Sequence, residues 1–252
     1  MSIIQFEKKD GIGTITLNDP DKMNGLSEPL VAELLATLDA AEKDSDIKVI
    51  ILTGRGKIFS AGGDISIFNR GIPGGFDYIN FVLKAFVGIE KVRKPVIAAV
   101  NGYALGGGTE LTLSSDIVIA SEKAVFGLPE VGIGIMPSYA VLRLHEVVGR
   151  TRAKELIMTG RQFDALEAER IGIVNQVVPH EELMSAVEKK AKQLMKNAPM
   201  SLVLAKTTVN KAIGGEDLAA AINATTLLFG FDDIKEGQRS FFEKRKPNFK
   251  GK

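Results

Sequence analysis

The chain has 252 residues, 45% of them apolar and 25% charged, with a formal net charge of +1. That make-up is ordinary for one large globular domain, or for one domain with an appendage, and it gives no global field toward nucleic acid or an anionic membrane. The absence of cysteine excludes disulfides, thiolate chemistry and Cys-based metal sites, and no run approaches the ~20 apolar residues of a membrane span.

In chain order, the N-terminal stretch MSIIQFEKKDG has no apolar core long enough for a signal peptide. A cytoplasmic protein is the expectation; a processed organellar one would read the same. Short β-branched runs at Thr14–Leu17, Val49–Leu52, Val96–Val100 and Ile117–Ala120 end in glycine or polar turns and read as buried strands. Between the first two lies SEPLVAELLATLDAAEKD, with Ser27 placed to cap a helix and apolar residues at helical spacing. After about residue 145 the strands nearly stop, and TRAKELIMTG, ALEAERIG, EELMSAVEKKAKQLMKNAP and the stretch from Met200 onward read as helices. The expectation is an α/β core over residues 1–195 and a helical C-terminal portion over 196–252.

No P-loop and no Gly-x-Gly-x-x-Gly after a strand is present. The only histidines, His145 and His180, read as surface or cap residues, which disfavours serine-hydrolase and zinc chemistry. Two glycine-rich turns remain. One is FSAGGDI, Phe59–Ile65; the other is the triplet Gly106–Gly108 in GYALGGGTEL, just before a helical segment that carries Glu110. Glycines let a ligand approach backbone N–H groups, and two such turns meeting would supply two donors for an oxygen that gains negative charge. Both are also consistent with plain turns, with Glu110 a favourable first-turn acid. Glu130 follows Pro129 among apolar residues in FGLPEVGIGIMP, surroundings that raise a carboxyl pKa, although a cap or turn acid would look alike. Two donor turns and two acids without histidine or metal suit chemistry at carbons beside a polarised carbonyl.

At these residues the chain resembles the crotonase superfamily, the enoyl-CoA hydratase/isomerase group. The matching stretches are KPVIAAVNGYALGGGTEL, FSAGGDI, FGLPEVGIG, AERIGIVNQVV and EGQRSFFEKRKPNFKGK, spread over nearly the whole length. The resemblance implies a spiral of ββα units and C-terminal helices that form a homotrimer or a dimer of trimers. It implies acyl-CoA thioester substrates, with coenzyme A carried by the substrate and no separate cofactor. The family's oxyanion-hole N–H groups fall on Gly63 and Gly107, and its hydratase acids on Glu110 and Glu130. Two acids favour hydration of a 2-enoyl-CoA over double-bond isomerisation, for which one is often enough. The CoA-lining segments fall on Lys22–Leu26 (Lys22, Met23, Leu26) and on Ala61–Ser66 (Ala61, Asp64, Ile65, Ser66), and the phosphate-contacting lysine on Lys244.

The chain also departs from the family. Many hydratases continue Gly-Ala-Gly-Gly-Thr in the loop where this chain reads PSYAVLRL, so Ser138 and Tyr139 replace glycines. The resemblance therefore places Tyr139 at the acyl pocket and leaves the acyl specificity open. AGGD stands for the commoner AGAD, a minor change where the backbone is the donor.

Overall fold

The structure, a computed structural model, describes residues 2–64, 71–210, 232–233, 236 and 243–252. The candidates Ile65 and Ser66, and the apolar stretch AAAINATTLLFGF, lie outside these residues.

The chain opens with a hairpin, β1 (Ile4–Lys9) against β2 (Ile12–Leu17), antiparallel. Its two-residue turn is Asp10–Gly11, both at positive φ (50° and 79°), the geometry that matches the strand twist. Helix α1 (Glu28–Lys43) begins where expected: the Ser27 side chain accepts from Leu30 N. Leu30, Val31, Leu34, Leu38 and Ala41 form its buried stripe, the 3–4 spacing of an amphipathic helix.

Then a unit repeats. A long strand is followed by a three-residue strand and a helix: β3 (Val49–Gly54), β4 (Ile58–Ser60), α2 (Gly71–Lys91); β5 (Val96–Val100), β6 (Tyr103–Leu105), α3 (Gly107–Leu113). The next turn is β7 (Ile117–Ser121), β8 (Val125–Gly127) and a 3-10 turn at Pro129–Ile133. The long strands join one sheet in the order β1-β2-β3-β5-β7-β10, and the short ones another in the order β4-β6-β8-β9. Each turn of the spiral thus contributes one strand to each sheet. Strands β3 and β5 are buried throughout, as parallel strands covered on both faces must be.

The remaining elements are α4 (Ala140–Val148), α5 (Arg150–Thr159), β9 (Gln162–Asp164), α6 (Ala165–Arg170), β10 (Gln176–Val178), α7 (Leu183–Leu194) and α8 (Pro199–Val209). The four expected strands are present, as are the expected helices as far as Val209; the stretch from Met200 onward continues mostly outside the described residues. Two strands lie beyond residue 145 as well, β9 antiparallel to β8 and β10 parallel to β7. At three residues each they are too short to show alternation in sequence. The main core fills the space between the sheets, α1 and α2. A second cluster puts Leu183, Val187 and Ala191 of α7 against Val49, Ile51, Ile97, Ala99 and Ile119 on the outer face of the large sheet.

Helix α8 is fastened to the core by a buried charge. Lys206, 8% exposed, donates from Nζ to Ile89 O (3.0 Å), Lys94 O (3.2 Å) and Asp116 Oδ2 (2.8 Å). Asp116 Oδ2 also accepts from Val96 N (2.7 Å). Burial pushes Asp116 up and Lys206 down, and their mutual attraction opposes both. Removing one partner leaves the other charged and desolvated. Lys206→Ala should therefore cost about 3–5 kcal/mol in urea unfolding. A loss below about 1 kcal/mol, the size of an exposed pair, would refute this account.

Candidate active site

A cavity of about 860 Å³ opens between the two glycine turns, α2 and the loop that follows the 3-10 turn. Gly63, Gly107, Glu110 and Glu130 line it. Tyr78, Ile79 and Val82 supply the α2 wall, and Ile133 to Ser138 the opposite one.

The glycine turns meet backbone to backbone. A Cβ on Gly62 would sit 2.7 Å from Gly107 N and 2.6 Å from Leu105 O, and one on Gly108 would sit 2.2 Å from Ser60 O. Gly106 is at φ 54°, and a Cβ there would approach Glu130 Oε1 to 3.0 Å. No side chain fits at these contacts. The helix starts inside the triplet rather than after it: Gly106 is the N-cap and Gly107 the first residue of α3. The N–H of Gly107 is thus one of the first-turn donors that a helix leaves unbonded. Gly63 pairs with Leu26 in an isolated parallel bridge, in which Leu26 N donates to Gly62 O (2.8 Å). Among the described residues no group accepts from the N–H of Gly63 or Gly107.

Two residues that sequence reasoning missed hold this floor. The Tyr78 hydroxyl accepts from Asp64 N (2.7 Å) and donates to Leu26 O (2.8 Å), which pins the peptide beside Gly63. Asn24, fully buried at φ 51°, donates to Ile58 O (2.8 Å) and accepts from Asp19 N (2.9 Å), which ties the loop before Leu26 to β4. The Asn24–Gly25 dipeptide, a turn signal, was the one cue in the sequence.

Glu110 and Glu130 share the cavity and are 4% and 8% exposed. Glu110 Oε1 accepts from Tyr139 N (2.7 Å) and Ala140 N (2.8 Å). Burial raises its pKa, and these two bonds work against the rise. Glu130 Oε2 is buried with no hydrogen-bond partner among the described residues. Desolvation lifts the Glu130 pKa to about 7; its own backbone N–H opposes the rise and the Glu110 charge adds to it. One acid is anchored and the other poised near neutrality.

The other expected residues fall into three groups. Ala61 and Asp64 line the cavity. Leu26 is fully buried behind Gly107 and supports the turn without lining the cavity. Lys22 and Met23 do not line it either, but Met23 O accepts from Ala61 N (3.0 Å), so their loop is bonded to the first glycine turn. Lys244 is exposed, at φ 51°, and not at the cavity of its own chain. The acyl-pocket assignment of Tyr139 is corrected. Its side chain, 2% exposed, turns inward against Phe86 with ring centroids 5.2 Å apart, and the cavity wall at this point is Ser138. His145 is exposed, and His180 Nδ1 lies 3.0 Å from Ser121 Oγ, both away from the cavity. No helix among the described residues is long and apolar enough to cross a membrane.

Fold and site together define a crotonase-type protein: a two-sheet ββα spiral whose glycine turns present backbone donors beside two buried carboxylates. The chain belongs to the enoyl-CoA hydratase/isomerase family, which matches residues 7–252. A probable mitochondrial enoyl-CoA hydratase of Dictyostelium discoideum is 39% identical to it, over 98% of this chain and 90% of that one. The short-chain-enoyl-CoA hydratase of Clostridium acetobutylicum is also 39% identical, over 96% and 95%. The crystal structure of an enoyl-CoA hydratase from Bacillus anthracis superimposes with a TM-score of 0.93 at 34% identity, covering 99% of this chain and all of that one.

The raised pKa of Glu130 links pH to stability. The folded state holds this proton up to about pH 7, whereas the unfolded chain releases it near 4.5. Its contribution is complete below about pH 4.5 and is lost as pH rises through about 7. Glu130→Gln removes the charge that must be buried. Its melting temperature should gain on that of the parent protein from pH 5 to pH 8, by an amount equivalent to up to about 3 kcal/mol. A difference that does not vary with pH would contradict the desolvated carboxyl.

Proposed function

We propose that this protein adds water reversibly across the 2,3 double bond of a 2-enoyl-CoA thioester. The observation that carries the reading is the meeting, in one cavity, of unbonded N–H groups at Gly63 and Gly107 with the acids Glu110 and Glu130. The thioester oxygen would accept from both N–H groups. As water adds at C3, negative charge moves onto that oxygen, and donors fixed by backbone contact stabilise it without reorganising; one such donor is typically worth roughly 3–4 kcal/mol.

Glu110 and Glu130 would hold the water between them. Glu110, anchored through Oε1, takes its proton when in the carboxylate form, and the resulting hydroxide bonds to C3. Glu130, protonated near neutral pH, gives its proton to C2. One proton is taken and one given, which leaves Glu110 protonated and Glu130 ionised; a proton passed from Glu110 to Glu130 through water in the cavity restores both, and the reaction needs no group beyond substrate and water. The loop bonded to the first glycine turn, Lys22 and Met23, would carry the CoA moiety together with Ala61, Asp64, Ile65 and Ser66. Lys244 would serve as a phosphate contact, reached across a subunit boundary, which fits a homotrimer or a dimer of trimers built on residues 196–252.

Three measurements test the reading. With crotonyl-CoA, followed as loss of enoyl-thioester absorbance, Glu110→Gln and Glu130→Gln should each lower kcat by ~10²–10⁴-fold while CoA-ester affinity persists. A severe effect from Glu130→Gln alone would instead favour isomerisation, where a single acid moves the proton between carbons. The kcat/KM for hydration should fall above about pH 7, where Glu130 loses its proton. Light scattering should give a trimer or hexamer at micromolar concentration; a monomer would overturn the assembly and with it the place of Lys244.

A further inference from the structure

The two N–H groups that hold Glu110 sit at the start of α4, at the end of a cavity-lining loop. The loop has few ties of its own: Gly134 N donates to Val131 O (3.3 Å) and Ile135 N to Glu130 O (3.1 Å). Its far end is secured from another direction. The Tyr139 hydroxyl donates to Glu90 Oε1 (2.5 Å), and its ring packs on the fully buried Phe86, one helical turn before Glu90 on α2. Arg143, one turn further along α4, donates to the same carboxylate from Nε (2.9 Å) and Nη2 (3.1 Å). Glu90 therefore grips two successive turns of α4. Burial, and then the Glu90 charge, keep the Tyr139 hydroxyl protonated, so it remains the donor.

We infer that Glu90, Tyr139 and Arg143 form a positioning clamp that holds the Tyr139–Ala140 N–H pair on Glu110 and so aims its free oxygen into the cavity. None of the three lines the cavity. Sequence position alone joins them to the site: the residue whose hydroxyl is clamped is the residue whose N–H reaches Glu110. A small residue at position 139 could donate the N–H, but it could not be gripped from α2. The charged groups that line the cavity with Glu110 are Glu130 and Asp64; Glu90 on α2 pairs with Arg143 on α4, which also meets Glu146. The Tyr139–Ala140 N–H pair bonds Glu110 directly and favours its ionised form.

The inference rests on the proposed role of Glu110. Tyr139→Phe deletes only the hydroxyl and keeps the ring on Phe86. It should lower kcat for crotonyl-CoA by about 10- to 100-fold, the cost of a misplaced catalytic group, with KM little changed. The acid limb of the kcat/KM profile should move to higher pH, because Glu110 loses bonds to its charged form. In a Glu110→Gln background, Tyr139→Phe should change kcat by less than about twofold, because coupled residues are not additive. Glu90→Gln, which still accepts from Tyr139, should lose less than Glu90→Leu, and it serves as the second variant if Tyr139→Phe does not fold. An unmoved acid limb, or equal losses with and without the Glu110 carboxylate, would make the cluster merely structural and overturn the clamp. If Glu110→Gln itself is fully active, the role of Glu110 fails first, and that outcome is distinct from a crippled Glu110→Gln with an unmoved Tyr139→Phe profile.

Discussion

The structure turns on the contact of backbone with backbone where β3 hands over to β4 and where the next turn of the spiral packs on that handover. A Cβ on Gly54 would meet Ile58 O and Phe59 O at 2.4 Å, one on Gly102 would meet Lys57 O at 1.9 Å, and one on Gly108 would meet Ser60 O at 2.2 Å. These glycines lie along one seam of the spiral, where successive turns stack too closely for any side chain. The seam sets the spacing of the two sheets. It also brings the Gly62–Gly63 turn onto the Gly106–Gly107 turn, and the cavity floor is this contact. The triplet is thus a steric requirement first, and its free N–H groups follow from it.

The same closeness has an electrostatic consequence. Glu110 and Glu130 lie over this floor with little exposed surface, and both carboxyls are desolvated. The fold treats them differently. Glu110 is compensated by two amides from α4, and Glu130 keeps an unpartnered Oε2. Burial raises the pKa of both, and what each can bond to differs although their burial is similar. An unpaired buried oxygen costs stability, and in the proposed reaction, where Glu130 gives up its proton, that cost would be part of the function.

How much of this was legible in the sequence depends on whether a residue's role lies in its local pattern. The buried strands were, because parallel strands covered on both faces must be continuous apolar runs, as in Val49–Leu52 and Val96–Val100. Glu130 was, because Pro129 and its apolar neighbours announce a dry site. The three-residue strands were not, since their pairing comes from the spiral and not from alternation. Asn24 and Tyr78 were not, because each acts by satisfying main-chain groups that only the folded seam brings within reach. Tyr139 was noticed for the right reason, its departure from a glycine-rich loop, but given the wrong direction. Which way a side chain leaves the start of a helix is decided by its partners, here Phe86 and Glu90, and both are about 50 residues away along the chain.

Backbone and side chains therefore divide the work. In the proposed reaction, charge on the thioester oxygen would fall to main-chain N–H groups, which do not titrate and which any substitution at Gly63 or Gly107 other than proline displaces rather than removes. Proton traffic would fall to two carboxyls, whose environments are set by helices from separate turns of the spiral. That division makes the floor intolerant of any side chain, while the walls are free to vary. The replacement of loop glycines by Ser138 and Tyr139 fits it. The larger residue turns inward and is gripped by α2, while the smaller faces the cavity. The loop can change its bulk without disturbing the N–H groups of Gly63 and Gly107, because those groups belong to the seam and not to the loop.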